Sequence, residues 1–347
     1  MNHIFQGHTV RGLLAGLAAG LFTVAAGLGN AVAQGNFPTR AVHILVPFVA
    51  GGATDLAARA MAEGMAPHLG VPVVIENKPG ANGMIANNAV KQADADGHLM
   101  VYVGLGTMVT LPMMDPAFSK MERIPPPQND FRIVALGATY DILFLTGALH
   151  GPKSLKELME KLRSPTEHVT HTTISVGAPT DLACYYLVAL AKGKATPVPY
   201  KGTVAAYPDF IGGLLTFAGD TPTASIALIK QGRLRGLAVM SKQRFKDLPD
   251  VPTLAEAGVP EMENVEWSNW AALYARKQTA QAAIDKLNDS VRRSLATPSV
   301  IEKLDRNGQR PHGLLTAKEA QDYWEKQADS WRPVLRAIGA LATDQAR

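Results

Sequence analysis

The chain has 347 residues, of which 47% are hydrophobic and 18% charged, so it is not intrinsically disordered and has apolar material for about two domains. The net charge is +4 with scattered basic residues, which indicates no nucleic-acid partner. The single cysteine, Cys184, excludes an internal disulfide and a cysteine-based metal site.

Residues 1–33 differ in composition from the rest of the chain. Arg11 is their only charged residue, and an apolar run covers residues 12–28. Ala31, Val32 and Ala33 then form the small-x-small pattern of a signal-peptidase site. A membrane anchor or a buried helix is the alternative, but the run is rich in Gly and Ala and lies at the lower length limit for a membrane span. We therefore predict a signal peptide cleaved after Ala33 and export to the periplasm.

Beyond this leader, short strands alternate with helices, which predicts an α/β protein. The predicted strands cover residues 42–48, 73–75, 99–103, 133–136, 142–146, 170–176, 196–200, 214–218 and 234–240. The predicted helices cover residues 56–65, 82–92, 154–162, 182–192, 204–211, 222–231, 279–295 and 298–307, with a last helix starting at Thr316. Capping boxes open two of them, at Ser154 and at Thr316. The C-terminal portion is predicted to be mostly helical.

Small and hydroxyl-bearing residues follow four of the predicted strands, at residues 51–54, 104–107, 175–181 and 220–223. At the first of these ends, the pair Gly51-Gly52 precedes a helix, which would expose backbone N–H groups at the positive end of that helix. An ordinary strand-to-helix turn is the alternative, and the lysine of a phosphate loop is missing. None of the four ends brings a Lys or Arg. We therefore expect an anionic ligand held between two domains by amides, hydroxyls and water.

Other candidate sites have weaker support. His168 and His171 could ligate a metal if helical, but their surroundings favour a strand that puts them on opposite faces. Cys184 is expected to be a core residue, and Trp267 and Trp270 are core anchors or, alternatively, ligand platforms. Asp55 and Asp220 could be helix caps, cleft acceptors or both. The nucleophile pattern G-x-S-x-G is absent, and no catalytic residue, metal or cofactor is expected.

Residues 46–55, reading VPFVAGGATD, resemble the opening V-P-F-x-P-G-G-x-x-D motif of a known family. These are the extracytoplasmic solute receptors of tripartite tricarboxylate transporters, also called the Bug receptor family. Later blocks of the family are similar to residues 73–104, 199–202, 212–213, 232–239 and 248–258. Three departures are visible: Ala50 replaces a common proline, residues 175–181 are shorter than usual and lack a following histidine, and residues 276–279 replace a Pro-x-Gly-Thr-Pro turn.

The resemblance implies a two-domain, type II periplasmic-binding-protein fold. Each domain would have a mostly parallel central sheet flanked by helices, with a cleft and a hinge between the domains. The first domain would comprise residues 34–140 and 242–347, and the second residues 141–241. The chain would cross between them near residues 139–141 and 240–242.

The resemblance also implies a function: a monomeric periplasmic receptor that captures a small carboxylate and delivers it to membrane transporter subunits. A receptor for a signalling partner and an exported enzyme on the same scaffold remain as alternatives. The expected ligand-binding residues of the first domain are Phe48, Gly51, Gly52, Thr54, Asp55, Gly106 and Thr107. Those of the second domain are Ser175, Gly177, Thr180, Tyr200, Asp220 and Thr221.

Overall fold

Strands and helices alternate along most of the chain in the computed structural model, which describes residues 37–267 and 269–343. The predicted signal peptide lies outside the described residues. The strands are β1 Val42–Val46, β2 Val73–Asn77, β3 Leu99–Gly104, β4 Phe131–Tyr140, β5 Leu143–Gly147, β6 Thr170–Thr173, β7 Thr196–Pro199, β8 Ala218–Asp220, β9 Leu234–Val239, β10 Asn269–Arg276 and β11 Gln309–Pro311. The helices are α1 Ala53–Leu69, α2 Met84–Gln92, α3 Leu111–Met113, α4 Pro116–Ser119, α5 Leu155–Arg163, α6 Pro179–Ala191, α7 Thr203–Ile211, α8 Ser225–Lys230, α9 Gln281–Ala296, α10 Pro298–Asp305 and α11 Ala317–Ala337.

A six-stranded sheet forms the first lobe, in the order β11-β4-β10-β3-β1-β2. Strand β1 pairs in parallel with both β2 and β3. Its residues Val42, Ile44 and Val46 are fully buried on one face and Leu45 is buried on the other, as expected for a strand covered on both faces. Because parallel strands end at the same edge of a sheet, the segments that follow β1 and β3 lie at one edge.

Smaller sheets form the second lobe. Strands β8, β5 and β9 make an antiparallel sheet, while β6 and β7 pair in parallel. A bridge between His171 and Phe217 connects the two. The chain leaves the first sheet after Tyr140, at the end of β4, and rejoins it at Asn269, at the start of β10. The predicted α/β class is confirmed.

Two expectations about the strands need correction. The sheets are mixed rather than mostly parallel: among the described strands, only β1–β2, β1–β3 and β6–β7 are parallel pairs. Strand β4 leads out of the first sheet and β10 leads back into it, so these paired strands run in opposite directions. Strand β10, in the middle of that sheet, was missed because the C-terminal portion was expected to be mostly helical.

Two apolar clusters form the core of the described residues. The larger one extends from Val101 and Trp270 in the first lobe to Leu182 and Leu187 on α6 in the second. The smaller one lies in the second lobe, and segment 245–251 packs against it. Cys184, Trp267 and Trp270 are buried, as predicted for core residues. In the part of the chain that the structure describes, no helix has both the length and the apolar character needed to cross a membrane.

Candidate functional site

The loop between β1 and α1 is held by Asp55. The Asp55 carboxylate is 1% exposed and accepts hydrogen bonds from the Gly51 amide at 2.8 Å, Arg59 Nε at 2.9 Å and Asn77 Nδ2 at 2.8 Å. Burial alone would raise the pKa of Asp55, but the three hydrogen bonds together hold it below its usual value. The Asp55 carboxylate oxygens therefore hold the loop in place. Of the roles that the sequence left open for Asp55, a structural role rather than a ligand contact accounts for these hydrogen bonds.

Arg59 and Asn77 were missed as members of this site. Asn77 Nδ2 donates to the Phe48 carbonyl at 3.0 Å, and Arg59 Nη2 donates to Asn77 Oδ1 at 3.0 Å. The spacing of Asp55 and Arg59, four residues apart on a helix, was a signal available in the sequence. The position of Asn77 was not, because it depends on the pairing of Val46 with Asn77 across β1 and β2.

The N-terminus of α1 follows this loop directly. Gly52 is the N-cap, and no side chain accepts a hydrogen bond from the first amides, which have no partner within the helix. Gly51 has φ +79°, a conformation that favours glycine. Gly52 has φ −74° and ψ 164°, a conformation that any residue can adopt. What glycine contributes at this position is the absence of a side chain, which leaves space beside Thr54 and the N-terminus of α1.

A second helix N-terminus follows β3. The 105–113 helix starts immediately after Gly104, with a π-helical turn at Gly106–Thr110 continuing into α3. A Cβ on Gly83 would lie 3.1 Å from Thr107 Oγ1 and 3.4 Å from Pro47 Cβ, so the segments after β1 and β3 meet at this glycine. The Thr107 hydroxyl donates to the Asn82 carbonyl at 2.9 Å.

The second lobe approaches this edge through residues 174–178. The buried Asp181 carboxylate accepts hydrogen bonds from the Ile174 and Ser175 amides, at distances of 2.9–3.1 Å. Burial is the largest effect on Asp181 and raises its pKa to about 7, although these amide hydrogen bonds act in the opposite direction. The Ser175 hydroxyl donates to Asn82 Oδ1 in the first lobe at 3.3 Å.

Asn82 thus joins two predicted ligand-binding hydroxyls, those of Thr107 and Ser175. It has φ +50° in the tight turn Ala81–Gly83, and the sequence analysis did not single it out. The glycines at this boundary allow a close approach: a Cβ on Gly106 would lie 3.2 Å from the backbone of Ala178. The structure therefore brings Gly106, Thr107, Ser175 and Gly177 together across the lobes.

Asp220 ends β8 and is 1% exposed. Tyr207 Oη donates to its carboxylate at 3.1 Å, and the nearby Thr203 side chain and Thr221 amide also favour its charged form. Burial raises the pKa of Asp220 to about 6, against the effect of these donors.

Thr180 and Tyr200 differ in where the structure puts them. A Cβ on Gly219 would lie 2.3 Å from the Thr180 carbonyl, so Thr180 packs against β8 beside Asp220. The Tyr200 hydroxyl donates to Asp209 in the same lobe, and this contact does not bring Tyr200 to the other predicted residues. Among the described residues there is no cluster of His, Cys, Asp and Glu that could hold a metal, and His171 is buried with Nδ1 against the Thr172 carbonyl.

The 105–113 helix and α6, whose N-cap is Ala178, therefore begin where the two lobes meet, and α1 begins at the same sheet edge as the 105–113 helix. None of the three N-termini has a side-chain cap. Free amides at such helix N-termini are suited to holding an anionic solute, which is the arrangement expected of a solute-binding class of protein. The sequence pattern of the family described as "Tripartite tricarboxylate transporter family receptor" matches residues 57–340. The chain belongs to this family.

Solved structures show the same fold. MatC from Rhodopseudomonas palustris, with bound malate, is 29% identical, has a TM-score of 0.76 and aligns over 86% of this chain and 100% of its own. The R. palustris protein Rpa4515, with adipate, is 28% identical, with a TM-score of 0.78 and coverage of 88% and 99%. The periplasmic binding protein BugD is 28% identical, with a TM-score of 0.75 and coverage of 88% and 99%. The predicted family membership and the predicted two-domain periplasmic-binding-protein fold are confirmed.

Proposed function

We propose that this protein is an exported receptor that captures a small carboxylate between its two lobes and delivers it to a tripartite tricarboxylate-type membrane transporter. The observation that carries the proposal is the set of three uncapped helix N-termini, two at the lobe boundary and that of α1 at the adjoining edge of the first sheet. Helix N-termini attract anions through their free amides and the helix dipole. A carboxylate can accept several of these hydrogen bonds at once.

The ligand is proposed to be a small mono- or dicarboxylate. Two similar proteins were solved with malate and with adipate, which are dicarboxylates. Arg59, the basic side chain nearest the α1 loop in the contacts described above, is engaged by Asp55 and Asn77. Charge recognition would therefore depend on amides and hydroxyls more than on salt bridges.

The proposed binding residues of the first domain are Phe48, Gly51, Gly52, Thr54, Asp55, Gly106 and Thr107, and those of the second are Ser175, Gly177, Thr180, Tyr200, Asp220 and Thr221. Asp55, Thr107 and Ser175 would act mainly by shaping the cleft, since their polar atoms already have partners. The domain boundaries near residues 140 and 241 would serve as the hinge of a monomer, closing on the ligand.

The location is proposed to be periplasmic, after cleavage at Ala33. The composition of residues 1–33 supports export, and the similar BugD is described as a periplasmic binding protein. The protein is proposed to have no catalytic role, so that it returns its ligand chemically unchanged.

The proposal is tested by thermal unfolding of the purified mature chain with malate, adipate and their neutral diamides. The acids should raise the melting temperature, and the diamides should not. Mass spectrometry of the acid recovered after incubation should find it unchanged. A conversion product would favour the exported enzyme instead, and equal shifts with the diamides would contradict carboxylate recognition. Co-purification with membrane subunits of such a transporter would test the delivery step.

A further inference from the structure

Thr110 makes a hydrogen bond across the two lobes. It lies in the 105–113 helix of the first lobe, is fully buried, and its hydroxyl donates to the Gly177 carbonyl of the second lobe. Because the Thr110 side chain is fully buried, it has no surface to offer to a ligand. Its contact therefore acts between the lobes rather than on the ligand.

Glycine makes this contact possible on the side of the second lobe. Gly177 has φ +84°, and a Cβ there would lie 3.0 Å from Thr110 Oγ1 and 3.2 Å from the Leu111 amide nitrogen. These distances are tight for a Cβ, and the positive φ of Gly177 also disfavours an L side chain.

The Thr110 hydroxyl has a second acceptor within its own helix. The Gly106 carbonyl, four residues earlier, lies 3.2 Å from Thr110 Oγ1, a common hydrogen-bond arrangement for Thr in helices. A hydroxyl has a single proton to donate. When the lobes separate, the proton can return to Gly106, so that opening leaves no unsatisfied donor on Thr110.

We propose that Thr110 is a positioning residue for ligand binding: its hydroxyl donates to Gly177 when the lobes close and to Gly106 when they open. The inference rests on the proposed receptor function and adds a residue that does not touch the ligand. If this hydrogen bond favours closure, losing it lowers the fraction of closed, binding-competent protein. The apparent affinity for the ligand then decreases in proportion to that fraction.

The test uses Thr110→Val, which keeps the branched shape and removes the donor, and Thr110→Ser, which restores it. The dissociation constant for malate or adipate is measured by titration calorimetry, and the radius of gyration by small-angle scattering at saturating acid. Thr110→Val should weaken binding about 2- to 10-fold, the range expected for one hydrogen bond between neutral groups. Thr110→Ser should bind like the wild type.

Thr146→Val is a matched control. Thr146 is also fully buried, and its hydroxyl donates to the Thr216 carbonyl at 2.6 Å within the second lobe. This variant should lower the melting temperature without changing the dissociation constant. Equal affinity of Thr110→Val and wild type would overturn the role of Thr110, as would an equal loss in Thr146→Val. A wild type that binds neither acid would overturn the proposed function and this inference with it.

Discussion

Replacing Gly52 by valine tests whether the N-terminus of α1 holds the carboxylate. At this N-cap, φ is −74° and ψ is 164°, so the backbone accepts a side chain without strain. A Cβ there would meet only the Val49 carbonyl oxygen, at 3.4 Å, an ordinary contact. The two methyl groups of valine would occupy the space beside the first amides of the helix. We expect Gly52→Val to fold and to lose carboxylate binding.

The expected size of the effect follows from linkage. A ligand at about 100 times its dissociation constant stabilises the native state by roughly 2.7 kcal/mol. At about 2–4 °C per kcal/mol, the melting temperature of the wild type should rise by roughly 5–10 °C. Without ligand, Gly52→Val should lose about 1 kcal/mol, because valine is a poor N-cap residue compared with glycine.

The assay is thermal unfolding with and without malate or adipate, with far-UV circular dichroism to confirm the helix content. Ala280→Val is the matched control, because Ala280 is an exposed N-cap with φ −57° and ψ 141° and no side-chain cap, at the start of α9. This variant should keep the full ligand-induced shift. If Gly52→Val also keeps it, the carboxylate is not bound at the N-terminus of α1.

Three further predictions concern processing, closure and pH. N-terminal sequencing of exported protein should find Gln34 first, and a mature chain that retains the apolar run 12–28 would contradict export with cleavage. Saturating malate or adipate should decrease the radius of gyration of the wild type as the lobes close; an unchanged radius in a protein that binds the acid would indicate a rigid scaffold. The pKa of Asp181 is raised to about 7, so the folded state holds this proton more tightly than the unfolded chain does, and stability should fall as pH rises from about 4 to 7. Urea unfolding of Asp181→Asn should show a weaker fall over this range, and a slope equal to that of the wild type would contradict the raised pKa.

Local patterns in the sequence were sufficient for much of the fold. The Ser154 side chain accepts from the Glu157 amide at 3.2 Å, and the capping box at Thr316 and Glu319 is complete. The buried strand β1 and the start of α1 after Gly51-Gly52 were also predictable. These features depend on residues within one or two turns of each other, so that propensity and hydrophobic periodicity determine them.

Tertiary structure decided the position of β10 and the hydrogen-bond partners of the hydroxyl groups at the candidate site. Strand β10 lies between β3 and β4, which are distant from it in sequence, and only the sheet pairing explains its apolar run. Thr107 and Ser175 were expected to face a ligand, yet both donate to Asn82. Thr110 and Gly177 meet although 67 residues separate them. A hydroxyl bonds to whichever acceptor packing brings within about 3 Å, and packing between distant segments is not encoded in any local pattern.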